Sequence, residues 1–395
     1  MRSLPDFRSP EFLREHGRSI LAFYLPRCRD PRGGFYHYYR DDGSVYDAER
    51  RHLVSSTRFV VNFAWAAQLY GATGYLDLVR HGLAFLESHH YDREAGGYRW
   101  EISRDGALLD AQFYAYGHAF VLLAHASALA AGVEEARQGL ERSWEILEQR
   151  FWSPQHGLYA DIADCEWRLD PYRGQNANMH ACEALLAAYE ASGEQRYLER
   201  AATLAHNITV RQTATTDGLV WEHYDSDWNV DWEFHKDQPD DLFRPWGFQP
   251  GHQVEWAKLL LILERHRPAE WLLPRARELF ERAVERGWDG RYDGLVYGFA
   301  PDGAFCSADK YFWVQAEALA AAALLARRSG EERYWQWYDR LWAYSWEHLV
   351  DHRFGAWFRI LSRDNRQYSN EKSPAGKVDY HTFGACVEVL KALGG

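Results

Sequence analysis

The chain has 395 residues, 47% of them apolar and 26% charged, with a formal net charge of −12. That apolar content supplies a large core and excludes a disordered chain. The acidic balance, with no basic block, excludes nucleic acid and anionic membranes as partners, and the longest strictly apolar run, Ala318 to Ala326, is too short to cross a bilayer.

The opening stretch MRSLPDFRSPEFLREHG mixes charges of both signs and lacks an apolar signal core, so a cytoplasmic location is expected. Five scattered cysteines without a CxxC read as reduced thiols. Aromatic residues make up 16% of the chain. They suit a bulky core, or a sugar site, because indole and phenol rings stack on apolar pyranose faces and carry a polar handle.

In chain order, a Gly-aromatic piece recurs six times, each time followed by an apolar helical segment. GGFYHY at Gly33 leads to TRFVVNFAWAAQLYG, and GGYRWE at Gly96 to GHAFVLLAHASALAAG. HGLYAD around Gly157 leads to MHACEALLAAYEASG, and DGLVWEHYD around Gly218 to GHQVEWAKLLLILERH. DGLVYGF around Gly294 leads to VQAEALAAAALLARRSG, and FGAWFRI around Gly355 to HTFGACVEVLKALGG. The period is about 60 residues, as repeat architectures show. Before each piece lies a more polar, amphipathic segment such as RSWEILEQRFW. Ala-rich helices need burial on most sides, and amphipathic ones can cover them. Two concentric rings of helices meet both needs. The expected fold is all-α: a single domain spanning residues 1–395, an (α/α)6 barrel of six helix pairs with short β-hairpin or loop insertions at the mouth. An open superhelix would need polar end units, and the last inner helix is as apolar as the others.

Aligned on their apolar pattern, the inner helices carry Arg58, His118, His180, His252, Val314 and His381 at one first-turn position. Closure would aim these side chains at one mouth. His252 and Glu255 are three residues apart, on one helix face, as are His180 and Glu183, with Glu317 in the equivalent place behind Val314. Several imidazoles can bind a metal, but each comes from a different helix, and no metal or other cofactor is expected. Glycoside hydrolysis needs paired carboxylates at the ring, where this chain has histidines. A histidine ring with one arginine suits proton transfer at a carbon next to a carbonyl, with arginine steadying an enediolate oxygen.

GQNANMHACEALLAAYEASGEQRYLERA, PGHQVEWAKLLL, FWVQAEALAA and GKVDYHTFGA resemble, in order, signature segments of the N-acylglucosamine 2-epimerase superfamily, and more closely its aldose–ketose isomerase branch. The likeness covers nearly the whole chain. It implies an (α/α)6 barrel and metal-free proton transfer through a cis-enediolate. It also implies site residues: Arg58 in STRFV, His180 in NANMH, His252 and Glu255 in PGHQVEW, and His381 in DYHT. His252 and His381 form the implied acid/base pair, Glu255 orients or balances His252, and Arg58 and His180 hold sugar oxygens. Trp313 is a candidate stacking platform, Tyr114 and Asn176 are candidate rim residues, and His118 joins the ring by register only.

The longest repeat gap holds an acidic, aromatic insert at 221–250 placed to cover the mouth. Arg244 within it could meet an anionic C6 substituent or pair with Asp240 or Asp241. The insert's acidity favours a neutral monosaccharide, mannose to fructose or lyxose to xylulose. Sulfoquinovose isomerisation and 2-epimerisation of N-acylglucosamine or cellobiose are the alternatives, and a non-catalytic binding barrel is a third class. Oligomeric state is left open.

Overall fold

The computed structural model describes residues 4–71 and 73–394. Among them are twelve α-helices: α1 (Pro10–Tyr24), α2 (Leu53–Tyr70), α3 (Thr73–Phe85), α4 (Ala115–Ala130), α5 (Ala136–Ile146), α6 (Gln175–Ser192), α7 (Gln195–His206), α8 (Pro250–His266), α9 (Leu272–Gly287), α10 (Phe312–Ser329), α11 (Glu332–His348) and α12 (Tyr380–Leu393). None is long and apolar enough to cross a membrane.

The even-numbered helices pack side by side in chain order, and α12 returns to α2, so the inner ring closes. The odd-numbered helices cover it from outside. Composition sorts the two layers. In α10, Val314 to Ala326 is buried without a break, because the alanines let neighbours approach on every side. In α9 burial is confined to Leu272, Ala276, Leu279, Phe280, Ala283, Val284 and Gly287, one face at helical spacing.

The phase of the repeat differs from the one the sequence suggests. Each inner helix packs on the outer helix that follows it, as in α2 with α3 and α10 with α11, while α1 packs on α12. The helical hairpin therefore runs inner to outer. Gly193 and Gly330 sit just past α6 and α10 with φ of 74° and 73°, a left-handed conformation that lets the chain reverse at once.

Short strands knit the other end. The strand ahead of each inner helix pairs with the loop of the next unit: Arg50–His52 with Glu101–Ser103, Phe113–Tyr114 with Ile162–Ala163, Arg173–Gly174 with His223–Tyr224, and Lys310–Tyr311 with Ile360–Leu361. Phe248 bridges to Phe299 ahead of α8, and Glu371–Ser373 pairs back to Tyr38–Arg40. Backbone hydrogen bonds thus close the mouth as a circle, like the helix packing beneath it. The rim is rigid, and side chains on the first turns of the inner helices are held in fixed relation.

Candidate active site

The first turns of the inner helices converge on one open pocket of about 660 Å³, lined among others by Arg58, Asn176, His180, His252, Glu255, Trp313 and His381. His252 and His381 are the third and second residues of their helices, whereas Arg58 and His180 are each sixth, one turn deeper. Leu242, Phe243 and Pro245 of the 221–250 insert form part of the pocket wall.

Three of the histidines are set the same way. The Nδ1 atom of His252 lies 2.9 Å from Glu222, that of His381 2.7 Å from Glu317, and that of His180 2.9 Å from Glu183. An ionised carboxylate can only accept, so each Nδ1 donates its hydrogen there and Nε2 is the ring nitrogen left over for other partners. Burial, with Arg58 and His180 nearby, holds the His381 imidazole well below its ordinary pKa. Burial lowers His180 as well. Trp313 stands against both His252 and His381, its ring centroid 5.0 and 5.8 Å from theirs.

The turn that aims His381 is strained. Val378 and Asp379 adopt φ of 33° and 49°, and for a β-branched residue such an angle is an outlier. The surroundings enforce it. The Asp379 carboxylate accepts hydrogen bonds from Tyr24 Oη (2.6 Å) and Thr382 Oγ1 (3.0 Å), and Asn62 Nδ2 donates to the Val378 carbonyl (2.8 Å).

Below the imidazoles lies a buried charge cluster. Lys258 donates to Glu317 and lies 3.9 Å from both Glu183 and Glu255. Burial alone would lower the pKa of Lys258, but the three carboxylates outweigh it and raise it. Burial also works against ionised Glu183, yet Lys258 and the hydrogen bond from His180 hold that carboxyl below the usual range. Glu255 goes the other way. Neither carboxyl oxygen has a hydrogen-bond partner, and burial together with the Glu317 charge pushes it well above the usual range. It faces the pocket as the carboxyl of this cluster that most readily holds a proton. Two sets of donors, His180 with Glu183 and Glu255, and Glu255 with Glu317 and His381, are close enough to hold a metal ion. Both sets include Glu255 and share the ammonium of Lys258 as a neighbour, which already supplies the positive charge a cation would bring. Arg58, sandwiched between Phe120 and Tyr380 at 4.4 and 4.7 Å, donates to Tyr116 Oη (3.2 Å) and to the Gly376 carbonyl.

The family model for N-acylglucosamine 2-epimerase (GlcNAc 2-epimerase) matches residues 34–385. The chain belongs to this family. It is 51% identical over 393 residues to a D-mannose isomerase of Marinomonas mediterranea, covering 99% of each chain. A solved D-mannose isomerase structure superposes with a TM-score of 0.97 at 51% identity, covering 98% of this chain and 100% of the other. A cellobiose 2-epimerase of Eubacterium cellulosolvens is 25% identical, with 94% of this chain and 96% of that protein covered.

Within this family member, several expected site residues lie elsewhere. His118 does not line the pocket. Its Nδ1 bonds the Tyr114 carbonyl (2.8 Å), its Nε2 accepts from the Tyr98 amide (3.1 Å), and it is fully buried. Its counterparts by helix position are Asn178, Gln253 and Gln315, each of which binds both the amide and the carbonyl of one loop residue, Tyr159, Val220 and Leu295 respectively. His118 is a structural clamp, and its register matches Asn178, two residues before His180. Tyr114 faces a neighbouring cleft and bonds Asp110 and Gln112. Glu255 does not orient His252, because Glu222 holds that nitrogen. Arg244 forms no side-chain ion pair with Asp240 or Asp241 and lies over the Tyr172 ring at 4.7 Å in the same neighbouring cleft.

Sequence reading passed over Glu222 and Lys258. Glu222 sits in a loop 30 residues before its partner, where no periodicity operates. Lys258 did leave a trace: it is the one charge within AKLLLIL.

Proposed function

We propose that this chain is an aldose–ketose isomerase that converts D-mannose to D-fructose by acid/base proton transfer through a cis-enediolate. The observation that carries this reading is the pair His252 and His381. Each has Nδ1 on a buried carboxylate and an available Nε2, and both stand against Trp313 in one pocket beside Arg58.

The chemistry follows from these positions. The sugar enters with one face on Trp313. Glu255, protonated, donates to the ring oxygen as the pyranose opens, one imidazole Nε2 takes the C1 hydroxyl proton, and the aldehyde forms; the other imidazole is left to work at carbon. Its Nε2 then takes the proton from C2. The C–H electron pair becomes the C1–C2 double bond, and the carbonyl pair moves to O1, where Arg58 balances the charge. The same imidazole returns a proton to C1. The other, carrying the proton from the C1 hydroxyl, gives it to O1, takes the O2 proton to leave a ketone at C2, and passes that proton to the Glu255 carboxylate, which restores the acid. The carboxylate behind each ring steadies the imidazolium while it lasts, as in other His–carboxylate pairs.

Proton NMR of the purified protein with D-mannose in D2O tests this. The expected product is fructose with deuterium at C1. Deuterium at C2 of glucose, with no fructose, would replace the isomerase reading with 2-epimerisation, the activity named for several relatives at lower identity. No change in mannose would overturn the proposal.

A further inference from the structure

Beside the catalytic pocket lies a second open cleft of about 1030 Å³. The two share a wall made of Tyr116, Asn176 and Phe243, which line both. Tyr116 and Asn176 are fixed: they sit on the first turns of α4 and α6, and Tyr116 is held by Arg58 (3.2 Å) and by the edge of His180 (5.0 Å). Phe243 comes from the 221–250 insert. It stacks on His52 (5.9 Å, 4° between planes) and meets the edge of Trp100 (5.7 Å), and belongs to no helix or strand. Of the three, it is the part of the wall that can be removed without disturbing an inner helix.

The second cleft is furnished like a sugar site. Trp100 and Tyr114 pack 4.4 Å apart on one side, and Tyr172 lies under the Arg244 guanidinium at 4.7 Å. Asp161 is 8% exposed and spends one oxygen on the Gly174 amide (2.6 Å), while its other oxygen has no hydrogen bond. The Asn176 Oδ1 is buried without a partner. Aromatic faces and half-satisfied polar groups around one hollow suit a neutral pyranose. Asp161, Asp170 and Asp241 against the single Arg244 disfavour an anion.

Building on the isomerase reading, we propose that Phe243 is the specificity-determining partition that limits the catalytic pocket to one sugar ring, and that the cleft behind it holds a second, glycosidically linked ring once the partition is removed. The reducing-end aldose must occupy the catalytic pocket, because C1 and C2 react there. The distal ring, attached through a hydroxyl remote from C2, passes where the Phe243 ring now stands.

The test is kcat/KM for D-mannose and for 4-O-β-D-mannosyl-D-mannose in the wild type, Phe243→Ala, and Phe243→Ala combined with Asp161→Ala. The expected result is a disaccharide-to-monosaccharide ratio at least about tenfold higher in Phe243→Ala than in the wild type, with much of the gain lost in the double variant. An unchanged ratio in a folded Phe243→Ala protein that still isomerises mannose overturns the proposal. So does a gain that Asp161→Ala leaves intact, which would make the cleft mere space. Should wild-type protein leave mannose unchanged, the isomerase reading fails by itself. Titration of the disaccharide against intrinsic tryptophan fluorescence then decides the partition: saturable binding by Phe243→Ala and not by the wild type supports it, and equal binding refutes it.

Discussion

Replacing Lys258 by methionine probes the charge cluster under the site most directly. Methionine keeps the length and apolar stem of lysine and removes the ammonium. At about 4 Å and an effective dielectric near 20, each carboxylate contact is worth about 4 kcal/mol before desolvation. Desolvation of the ions takes back most of that, and removing one partner of a buried pair costs about 3–5 kcal/mol. The full range applies here, because Lys258 is 7% exposed and Glu317 and Glu255 are 4% and 1% exposed, leaving little solvent to screen the orphaned acids. With an unfolding entropy of about 2.1 cal/mol/K per residue over 395 residues, that cost lowers Tm by about 4–6 °C at neutral pH.

The sign of the pH response adds a second requirement. In the wild type Glu183 is held below its usual pKa, so its contribution is present above the unfolded value near 4.5 and is lost as pH falls through the folded value. Without Lys258 the acids lose their counter-charge and take up protons more readily, so the gap between the proteins narrows as pH falls from 7 toward 5. Calorimetric or fluorescence-detected melting across that range measures both effects. A variant that melts at or above the wild-type temperature, or a gap that widens on acidification, would refute the account of Lys258 as the counter-ion of the buried carboxyl cluster.

Three further outcomes are expected. Glu222→Gln keeps a hydrogen bond to His252 but not the charge behind the ring, so kcat for mannose falls by about 10²-fold with little change in KM; steady-state kinetics measures this, and equal kcat would remove Glu222 from the mechanism. His118→Gln retains the clamp chemistry that Gln253 and Gln315 provide and leaves turnover intact, whereas His118→Leu strands the Tyr98 amide and the Tyr114 carbonyl and costs about 2–3 kcal/mol in urea unfolding. Stability falls on acidification below pH 6.5: burial holds His16, His90, His118 and His223 at about 4, so each contributes fully above the unfolded value of 6.5 and loses up to about 1.4 kcal/mol per pH unit below it. Asp161, pushed up to about 7 by burial, works in the opposite direction, as do Glu255 and Glu317, while His37, His52, His180 and His381, all lowered by burial, add to the four. A melting temperature that stays flat from pH 7 to 5 would contradict this balance.

The architecture was legible because two independent sequence signals agreed. The Gly-aromatic pieces marked the loops at one end, and the contrast between Ala-rich and amphipathic segments separated inner from outer helices. The pairing of helices was not legible. Every inner helix before α12 has an outer helix on either side in sequence, and only packing decides that α3 covers α2 while α1 covers α12.

The site was legible in residue type and partly misread in register, and the reason is physical. An amphipathic helix reports its phase through its polar face. Helices such as α4, buried from Gly117 to Leu129, have no solvent face, so their apolar pattern slides freely by two residues. His118 was therefore set beside His180, although it shares a role with Asn178. What fixes the true phase is the clamp row itself, with His118, Asn178, Gln253 and Gln315 each satisfying a backbone amide and a backbone carbonyl at the mouth. Two positions follow from it: His252 one residue before the clamp of its helix, and His180 and Glu255 two residues after theirs. That answers why α8, a helix otherwise made for the core, begins with an imidazole and a carboxylate. His252 stands at the rim, where a charged loop residue from outside the helix can reach its Nδ1. Glu255 stands one turn deeper, where no hydrogen-bond donor reaches it and burial, with the Glu317 charge, raises its pKa. Three residues of spacing separate an imidazole backed by Glu222 from a carboxyl without a hydrogen-bond partner, the two kinds of group that the proposed proton transfer uses.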